Sequence, residues 1–214
     1  MKKNLVLDIG NVLMSYRWKD MFMDFGLSEE DALRVGGLCF DDPLWNEMDR
    51  GRILEREVME IMSARHPKDA EAFRHFFTHG ELMVVERPKV WEMVRNLKDA
   101  GFSVYLLSNY SENLFYKQIL ATGLLPLVDG AVISYQVHYL KPEREIYRIL
   151  FDRYHLDRRE CVFFDDRKEN VEAARILGMD AYQVTDEEGL LQWLSQLLEE
   201  GEIRTPYDWT SGRN

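Results

Sequence analysis

Three short, dense apolar runs, each ended abruptly by polar residues, constrain the fold more than any other feature of the chain. The first begins at Leu5 and is interrupted by Asp8, the second covers residues 102–107, and the third covers residues 161–164. Runs this apolar predict strands that are buried on both faces, as the strands of parallel sheets are. A carboxylate at the end of such a strand is costly to bury unless it is paired or used.

From Arg87 onward, the apolar runs alternate with segments of helical character. Helices are predicted over residues 88–100, 112–121, 141–155, 170–177 and 187–200, and two further strands over residues 131–134 and 181–184. Strands that alternate with helices predict an α/β fold, in which right-handed crossovers connect the strands of a parallel sheet. In such a sheet the ligand binds beyond the carboxyl ends of the strands.

Residues 16–86 show helical patterns and no convincing strand, which predicts a small helical bundle. Ser28 is followed by acidic residues, which is typical of a helix start. Residues 53–65 carry apolar side chains at helical spacing, and Pro67 is placed to begin a further helix that runs through Phe77.

A polar cluster in this helical segment has two interpretations. Trp45, Asp49, Arg50 and Arg52 lie on either side of Gly51. A solvated turn beside a buried tryptophan is the preferred interpretation. The alternative is a loop that faces the polar strand ends and contributes to specificity.

The acidic balance of the chain limits its partners. The 214 residues carry a formal net charge of -11, which argues against nucleic acid or an anionic membrane as the main partner. No apolar run approaches membrane-spanning length, the two cysteines show no metal-binding spacing, and a cytoplasmic protein is expected. An anionic small molecule is still compatible with this composition, because a local metal ion or lysine can reverse the field inside a cleft.

The polar residues that end the apolar runs are expected to meet at one edge of the sheet. They are Asp8, Ser108, Asn109, Asp165 and Asp166, and Lys141 is placed to reach the same edge. Two like charges about 4 Å apart repel by about 1 kcal/mol in water and about 4 kcal/mol at an effective dielectric near 20. Three carboxylates beside one lysine therefore require a divalent cation or a shifted pKa. Oxygen ligands suit Mg²⁺, and the Gly10 carbonyl is placed to be one of them.

This set of groups predicts phosphoryl chemistry. A Mg²⁺ ion, a lysine and hydroxyl or amide donors form a cradle for a phosphoryl group. A carboxylate in line with phosphorus can act as the nucleophile and pass through an aspartyl-phosphate. The expected partner is therefore a small-molecule phosphate ester.

Four motifs, in this order, resemble those of the haloacid dehalogenase superfamily of hydrolases. They are Asp8-Ile9-Gly10-Asn11-Val12, Leu107-Ser108-Asn109, Lys141-Pro142, and Phe164-Asp165-Asp166 with Asn170. The resemblance implies a Rossmann-like three-layer core made of residues 1–15 and 87–200. Residues 16–86 would be a helical cap inserted after the first strand, and residues 201–214 a C-terminal tail. The resemblance is greatest for the branch that contains glucose-1-phosphate phosphatase and the phosphatase domain of soluble epoxide hydrolase.

The resemblance also implies a role for each residue of the site. Asp8 would be the nucleophile and a metal ligand, and Gly10 would bind the metal through its carbonyl. Ser108 and Asn109 would bind the phosphate, and Lys141 would neutralise the charge of the nucleophile and of the phosphate. Asp166 would be a Mg²⁺ ligand, supported by Asp165 directly or through water.

One position departs from the pattern of the family. Its phosphatases usually carry a second Asp two residues after the nucleophile, as general acid and base, and Gly10 stands there in this chain. A positioned acid or base contributes roughly 10²–10⁴-fold to the rate, which is about 3–5 kcal/mol of barrier. Three interpretations stay open. In the first, the leaving group needs little protonation, as that of a sugar 1-phosphate does. In the second, a cap residue or a metal-bound water replaces the acid. In the third, the protein is a catalytically weak phosphate-binding module.

A haloacid dehalogenase is the less favoured alternative. Dehalogenases of the superfamily also lack the second Asp, but they need no metal and so have no use for paired carboxylates at Asp165 and Asp166. The sequence thus predicts a Mg²⁺-dependent phosphatase of a small phosphorylated metabolite, with a sugar phosphate as the preferred substrate class.

Overall fold

A computed structural model describes residues 2–120 and 122–202 of the chain. In chain order, the strands of these residues are β1 (Asn4–Leu7), β2 (Met14–Tyr16), β3 (Val84–Glu86), β4 (Ser103–Ser108), β5 (Gly130–Ile133), β6 (Cys161–Asp165) and β7 (Asp180–Gln183). The helices are α1 (Trp18–Asp24), α2 (Glu29–Phe40), α3 (Pro43–Asp49), α4 (Glu55–Arg65), α5 (Ala70–Thr78), α6 (Pro88–Asp99), α7 (Glu112–Phe115), α8 (Ser134–Val137), α9 (Arg144–Tyr154), α10 (Lys168–Ile176) and α11 (Glu187–Glu200). Single 3₁₀ turns lie at Pro67–Asp69, Gly80–Met83, Leu125–Leu127 and Arg158–Glu160.

Five parallel strands form the central sheet, in the order β5-β4-β1-β6-β7. Strand β1 lies in the middle, and Leu7 is in register with Leu106 of β4 on one side and Phe164 of β6 on the other. The order reverses direction at β1, which places the residues after β1 at a topological switch point of the sheet.

Each face of the sheet packs against its own layer of helices. Because side chains alternate along a strand, Leu5 and Leu7 join the core on one face, whereas Val6 joins a separate core on the other. Helices α6 and α11 cover the first face, and α9 and α10 cover the second. The predicted α/β fold, a Rossmann-like three-layer core around a parallel sheet, is thereby confirmed.

Helices α1 to α5 follow β2 and form the helical segment expected after the first strand. Their core contains Phe22 and Phe76, whose rings stack with centroids 5.4 Å apart. The start of α2 is as predicted, since the Ser28 hydroxyl accepts a hydrogen bond from the backbone N–H of Asp31 at 3.1 Å.

The expectation that residues 16–86 contain no strand is wrong, because a short strand lies at each end of this segment. Strands β2 and β3 pair antiparallel and form a two-stranded ribbon where the chain leaves and re-enters the core. Each has three residues, and Val85 and Glu86 are exposed, so the pattern of alternating burial that marks a strand is too short to detect. The predicted division of the chain at 15/16 and 86/87 falls at this ribbon and stays a prediction.

Two helices depart most from their predicted bounds. Helix α9 begins at Arg144 rather than at Lys141, because residues 140–143 form a turn in which the backbone N–H of Glu143 donates to the Leu140 carbonyl at 2.7 Å. The helix predicted for residues 112–121 is α7 followed by one turn of π-helix over Tyr116–Leu120, and residue 121 lies outside the described residues.

The structure describes the chain up to residue 202, so most of the predicted tail of residues 201–214 lies outside the described residues. Among the described residues, none of the helices combines the length and the apolar composition needed to cross a lipid bilayer. The cytoplasmic location stays a prediction.

Candidate active site

Asp8 lies directly after β1, between the ends of the two neighbouring strands. Its backbone N–H donates to the Phe164 carbonyl at 3.0 Å, so the ladder with β6 continues one residue past β1. One carboxylate oxygen, Oδ1, accepts hydrogen bonds from the Ile9 backbone N–H at 2.8 Å and from the Ser108 hydroxyl at 2.6 Å. Ser108 ends β4, so β4 contacts the carboxylate of Asp8 and β6 holds its backbone.

Lys141 brings a buried positive charge to the same carboxylate. Its Nζ lies 2.8 Å from Asp8 Oδ1 and 2.6 Å from Asp165 Oδ2, and the residue is 4% exposed. Burial disfavours the charged ammonium, but the two adjacent carboxylates outweigh that effect and raise the pKa of Lys141. The two carboxylates therefore favour the charged form of Lys141 at the end of β1.

Asn109 holds the backbone of Lys141. Its Nδ2 donates to the Lys141 carbonyl at 3.0 Å, and its Oδ1 accepts from the Lys141 backbone N–H at 2.8 Å. This pair of hydrogen bonds fixes the loop that carries the lysine against the end of β4. The structure thus directs the Asn109 side chain to Lys141, and the phosphate-binding role implied for Asn109 stays a prediction.

Asp165 is fully buried at the end of β6, and both its oxygens have partners. Oδ1 accepts from the Arg167 backbone N–H at 2.8 Å and from Asn170 Nδ2 at 2.9 Å, and Oδ2 accepts from Lys141. Asn170 is held in turn, because the Tyr147 hydroxyl donates to its carbonyl at 2.9 Å. This arrangement suits a residue that orients Lys141 and the loop after β6.

Asp166 is only partly buried and faces the turn after β1. Its Oδ2 accepts a hydrogen bond from Asn11 Nδ2 at 2.9 Å, and its carbonyl accepts from Gln183 Nε2 at 3.0 Å. Asn11 adopts a left-handed backbone with φ of 52°, a conformation that Asn tolerates better than most residues. Asn11 belongs to the first motif, but nothing in the sequence indicates that its side chain binds Asp166.

The carboxylates of this site crowd one another in a way that a divalent cation would relieve. Ligand oxygens of Asp8, Asp165 and Asp166 all lie within 4.8 Å of one another. Burial, together with the charges of Asp165 and Asp166, raises the pKa of Asp8 above its ordinary value against the opposing effect of Lys141, and burial likewise raises the pKa of Asp166. Three carboxylates against one ammonium leave an excess of negative charge, and an all-oxygen donor set of this kind fits Mg²⁺.

The side chain of Tyr16 accounts for the glycine at position 10. A Cβ atom at Gly10 would lie 2.5 Å from Cε2 and 2.6 Å from the hydroxyl oxygen of Tyr16. The phenol of Tyr16 therefore occupies the space into which a side chain at position 10 would extend. The absence of an acid at this position is thus linked to an aromatic ring that comes from β2.

A cavity of about 360 Å³ opens above these residues. Asp8, Ser108, Lys141 and Asp166 lie at its floor at the carboxyl ends of the strands. The residues that line it from the inserted segment and its surroundings are Tyr16, Trp18, Phe40, Trp45, Asn46, Asp49, Met83, Tyr110 and Leu114. The cavity thus combines a charged floor with an upper wall of aromatic and apolar side chains interrupted by Asn46 and Asp49, and small-molecule sites combine apolar and polar groups in this way.

The preferred interpretation of the cluster around Gly51 is wrong in part. Trp45 and Asp49 line the cavity, whereas Arg50 turns away and forms an ion pair with Glu143. Arg52 is exposed, as a solvated turn requires. Residues that are adjacent in sequence on a helix end point in different directions, so only a part of the cluster reaches the site.

The chain matches one described protein family and several relatives. The model of a family described as haloacid dehalogenase-like hydrolase matches residues 24–178. The chain is 24% identical to the sesquiterpene phosphatase astK of Aspergillus oryzae, over 92% of this chain and 96% of that protein. It is 30% identical to the bifunctional epoxide hydrolase 2 of Rattus norvegicus, over 53% of this chain and 21% of that protein.

Solved structures with the same fold differ in their chemistry. A haloacid dehalogenase-family enzyme of Bacteroides thetaiotaomicron, in complex with magnesium and inorganic phosphate, superposes with a TM-score of 0.69 at 20% identity, over 87% of this chain and 97% of that one. An L-2-haloacid dehalogenase of Xanthobacter autotrophicus, with chloropropionic acid covalently bound, gives a TM-score of 0.64 at 15% identity, over 95% of this chain and 85% of that one. The shared fold therefore does not select the reaction, and the side chains at the site must.

Proposed function

The chain belongs to the haloacid dehalogenase-like hydrolase family, and from that membership we propose that it is a Mg²⁺-dependent phosphatase of a small phosphate ester. The observation that carries the proposal is the buried triad of Asp8, Lys141 and Asp165 beside a third carboxylate, Asp166, at the floor of a cavity. A site that displaces halide needs one nucleophilic carboxylate, whereas this site contains three carboxylates and a lysine. This surplus of charged groups favours binding of a metal and a phosphoryl group over displacement of halide.

Asp8 is the proposed nucleophile. The Ile9 amide, Ser108 and Lys141 converge on its Oδ1, and its second oxygen, Oδ2, is the atom proposed to attack phosphorus. Attack on phosphorus forms the bond between Asp8 and the phosphoryl group and breaks the bond to the leaving alcohol. Water then attacks the same phosphorus, which releases phosphate and restores the Asp8 carboxylate.

Asp8, Asp166 and the Gly10 carbonyl are the groups proposed to hold Mg²⁺. When bound, the ion would offset the negative charge of the phosphoryl group and of the carboxylates around it. Asp165 is proposed to support the site through Lys141, since its oxygens are already engaged by Lys141, Asn170 and the amide of Arg167. Lys141 remains beside Asp8 throughout and stabilises negative charge that develops on the phosphoryl oxygens.

A sugar phosphate is the proposed substrate class, since it agrees with the resemblance of the Asp8-Ile9-Gly10-Asn11-Val12 motif. The second candidate is a prenyl-type phosphate. It is favoured by the apolar upper wall of the cavity, formed by Trp18, Phe40 and Met83, and by the name of the Aspergillus relative. Initial rates with glucose 1-phosphate, glucose 6-phosphate and farnesyl phosphate separate the two candidates. A preference for the 6-phosphate over the 1-phosphate would argue against the anomeric leaving group.

Release of phosphate from p-nitrophenyl phosphate tests the proposed reaction. We expect turnover with Mg²⁺, its loss on addition of EDTA and its recovery on addition of excess Mg²⁺. Asp8→Asn should abolish turnover, because the amide is a poor nucleophile, whereas Asp152→Asn, at an exposed position of α9, should retain it. Turnover that EDTA leaves unchanged would contradict the proposal.

The same samples distinguish the alternatives. A non-catalytic phosphate-binding module would be stabilised against heat by phosphate esters without turning any of them over. A dehalogenase would release halide from 2-chloropropionate in the presence of EDTA.

A further inference from the structure

We propose that Asp49, contributed by the helical segment, is the general acid that protonates the leaving-group oxygen in place of the side chain absent at Gly10. This inference rests on the proposed phosphatase function and adds to it a catalytic residue at the opposite wall of the cavity. Asp49 and Asp8 line the same cavity, one from the helical segment and the other from the sheet.

The core holds the backbone of Asp49 in place. The Ser134 hydroxyl donates to the Asp49 carbonyl at 2.6 Å, and the same hydroxyl accepts from the backbone N–H of Tyr110 at 2.9 Å. Ser134 follows β5, and Tyr110 follows β4, so the position of Asp49 is tied to the ends of two core strands.

The turn after Asp49 is fixed just as closely. Gly51 has φ of +68°, and a Cβ atom there would lie 2.6 Å from the carbonyl oxygen of Tyr135. Arg50, between them, pairs with Glu143 of the core. Asp49, Arg50 and Gly51 thus each contact the core, and these contacts give Asp49 a defined place in the cavity wall.

The surroundings of Asp49 favour the protonated form that a general acid needs. The residue is 8% exposed, and burial is the largest cause that raises its pKa to about 8, with further increases from Glu55 and Asp8. The backbone amide of Ser111 and the indole of Trp45 oppose the increase. The titratable groups that face it are Glu55 of α4, Asp8 of the floor, and the phenols of Tyr16 and Tyr110. A pKa near 8 favours the protonated carboxyl at neutral pH, and this is the state in which it can donate to a leaving oxygen.

Two other groups near the cavity are less suited to this role. Tyr16 occupies the space above Gly10, but burial raises its pKa well above the usual range for a phenol, so it gives up its proton with difficulty. Glu55 is buried, but its carboxylate accepts hydrogen bonds from the Ser111 hydroxyl and from Asn113, and it lines a separate pocket. Asp49 combines a labile proton with a position in the wall of the main cavity.

The proposed step balances in protons. As Asp8 forms its bond to phosphorus, the bond to the leaving oxygen breaks, and that oxygen takes the proton of the Asp49 carboxyl. In the second half-reaction the Asp49 carboxylate removes a proton from the water that attacks phosphorus. Each turnover therefore returns Asp49 to its protonated form.

The dependence of the rate on the leaving group tests the proposal. An alkyl phosphate, here glycerol 3-phosphate, needs a proton on its leaving oxygen, whereas p-nitrophenolate leaves without one. We expect Asp49→Asn to lower kcat/KM for the alkyl phosphate by roughly 10²–10⁴-fold and for p-nitrophenyl phosphate by less than about tenfold. An equal loss with both esters, or no loss with the alkyl ester, would overturn the proposal.

Matched variants separate a catalytic effect from a structural one. Glu60→Gln removes an exposed carboxylate of α4 that does not act on Asp49, and it should leave the ratio of kcat/KM for the two esters unchanged. Asp8→Asn should remove both activities, and a wild-type protein that turns over neither ester would refute the proposed function itself rather than the role of Asp49.

The pH profile of the wild-type protein decides the question even if Asp49→Asn does not fold. We expect kcat/KM for the alkyl phosphate to fall above about pH 8 as Asp49 loses its proton, and kcat/KM for p-nitrophenyl phosphate to lack this descending limb. Identical profiles for the two esters would count against Asp49.

Discussion

Lys141 is the residue on which the charge balance of the site depends. Its ammonium is the cation that bridges Asp8 and Asp165 in the described structure, and it is nearly inaccessible to solvent. Removal of one partner from a buried ion pair is more costly than absence of the pair, because a charge is left buried without compensation.

Substitution of this lysine should therefore affect both folding and turnover. We expect Lys141→Met to abolish phosphate release and to lower the free energy of unfolding by about 3–5 kcal/mol. Lys89→Met, at an exposed position of α6, is the matched control and should change neither. Chemical denaturation in EDTA measures the effect, and a midpoint equal to that of the wild-type protein would show that the triad contributes nothing to stability.

Residue types at strand ends were predictable from the sequence, but their hydrogen bonds were not. Asp8, Ser108 and Asp165 follow dense apolar runs, and parallel strands bring such ends together. That Asn109 holds the backbone of Lys141 depends on the turn at residues 140–143, which no periodic pattern marks. The exclusion of a side chain at Gly10 by Tyr16 depends on a contact between a turn and a three-residue strand, which is equally invisible in sequence.

At the scale of elements, the end of α3 connects the helical segment to the core. Gly51 is placed there because its backbone is left-handed and the Tyr135 carbonyl approaches it closely. A methyl group at this position would have to displace the turn and with it the end of α3.

The substitution Gly51→Ala tests this contact. We expect a loss of about 1–3 kcal/mol in stability from overpacking and strain, together with a fall in activity toward alkyl phosphates, because Asp49 moves with the turn. Gly123→Ala is the control, since a Cβ atom there would meet none of the described residues within 4 Å. Thermal unfolding and initial rates provide the two measurements. Full activity in a destabilised Gly51→Ala protein would separate the turn from catalysis.

The limits of prediction at this scale have a physical cause. The central strands and α6, α10 and α11 could be predicted, because buried segments of this length show a continuous apolar run or an apolar periodicity in the sequence. The ribbon of β2 and β3 could not be predicted, because two short strands with exposed side chains show no such pattern. The start of α9 was misplaced because Pro142 is compatible with the first turn of a helix, although here it lies in the preceding turn.

At the scale of the whole molecule, the two parts of the chain contribute different chemistry to one cavity. The sheet supplies the carboxylates and the lysine, on strand ends that the core makes rigid. The helical segment supplies an apolar wall and a buried carboxyl. A chain with a net charge of -11 can thus accept an anionic substrate, because the charges that matter are local.

The central claim is that Asp8 becomes phosphorylated, and direct detection of that intermediate tests it. Protein mixed with p-nitrophenyl phosphate and Mg²⁺ is quenched in acid within the first turnovers, digested, and analysed by mass spectrometry. The account predicts that one phosphoryl group appears on the peptide that contains Asp8, is removed by hydroxylamine as an acyl phosphate, and is absent from Asp8→Asn. Turnover of the ester with no phosphoryl group on Asp8 at any quench time, or a phosphoryl group on another residue, would contradict it.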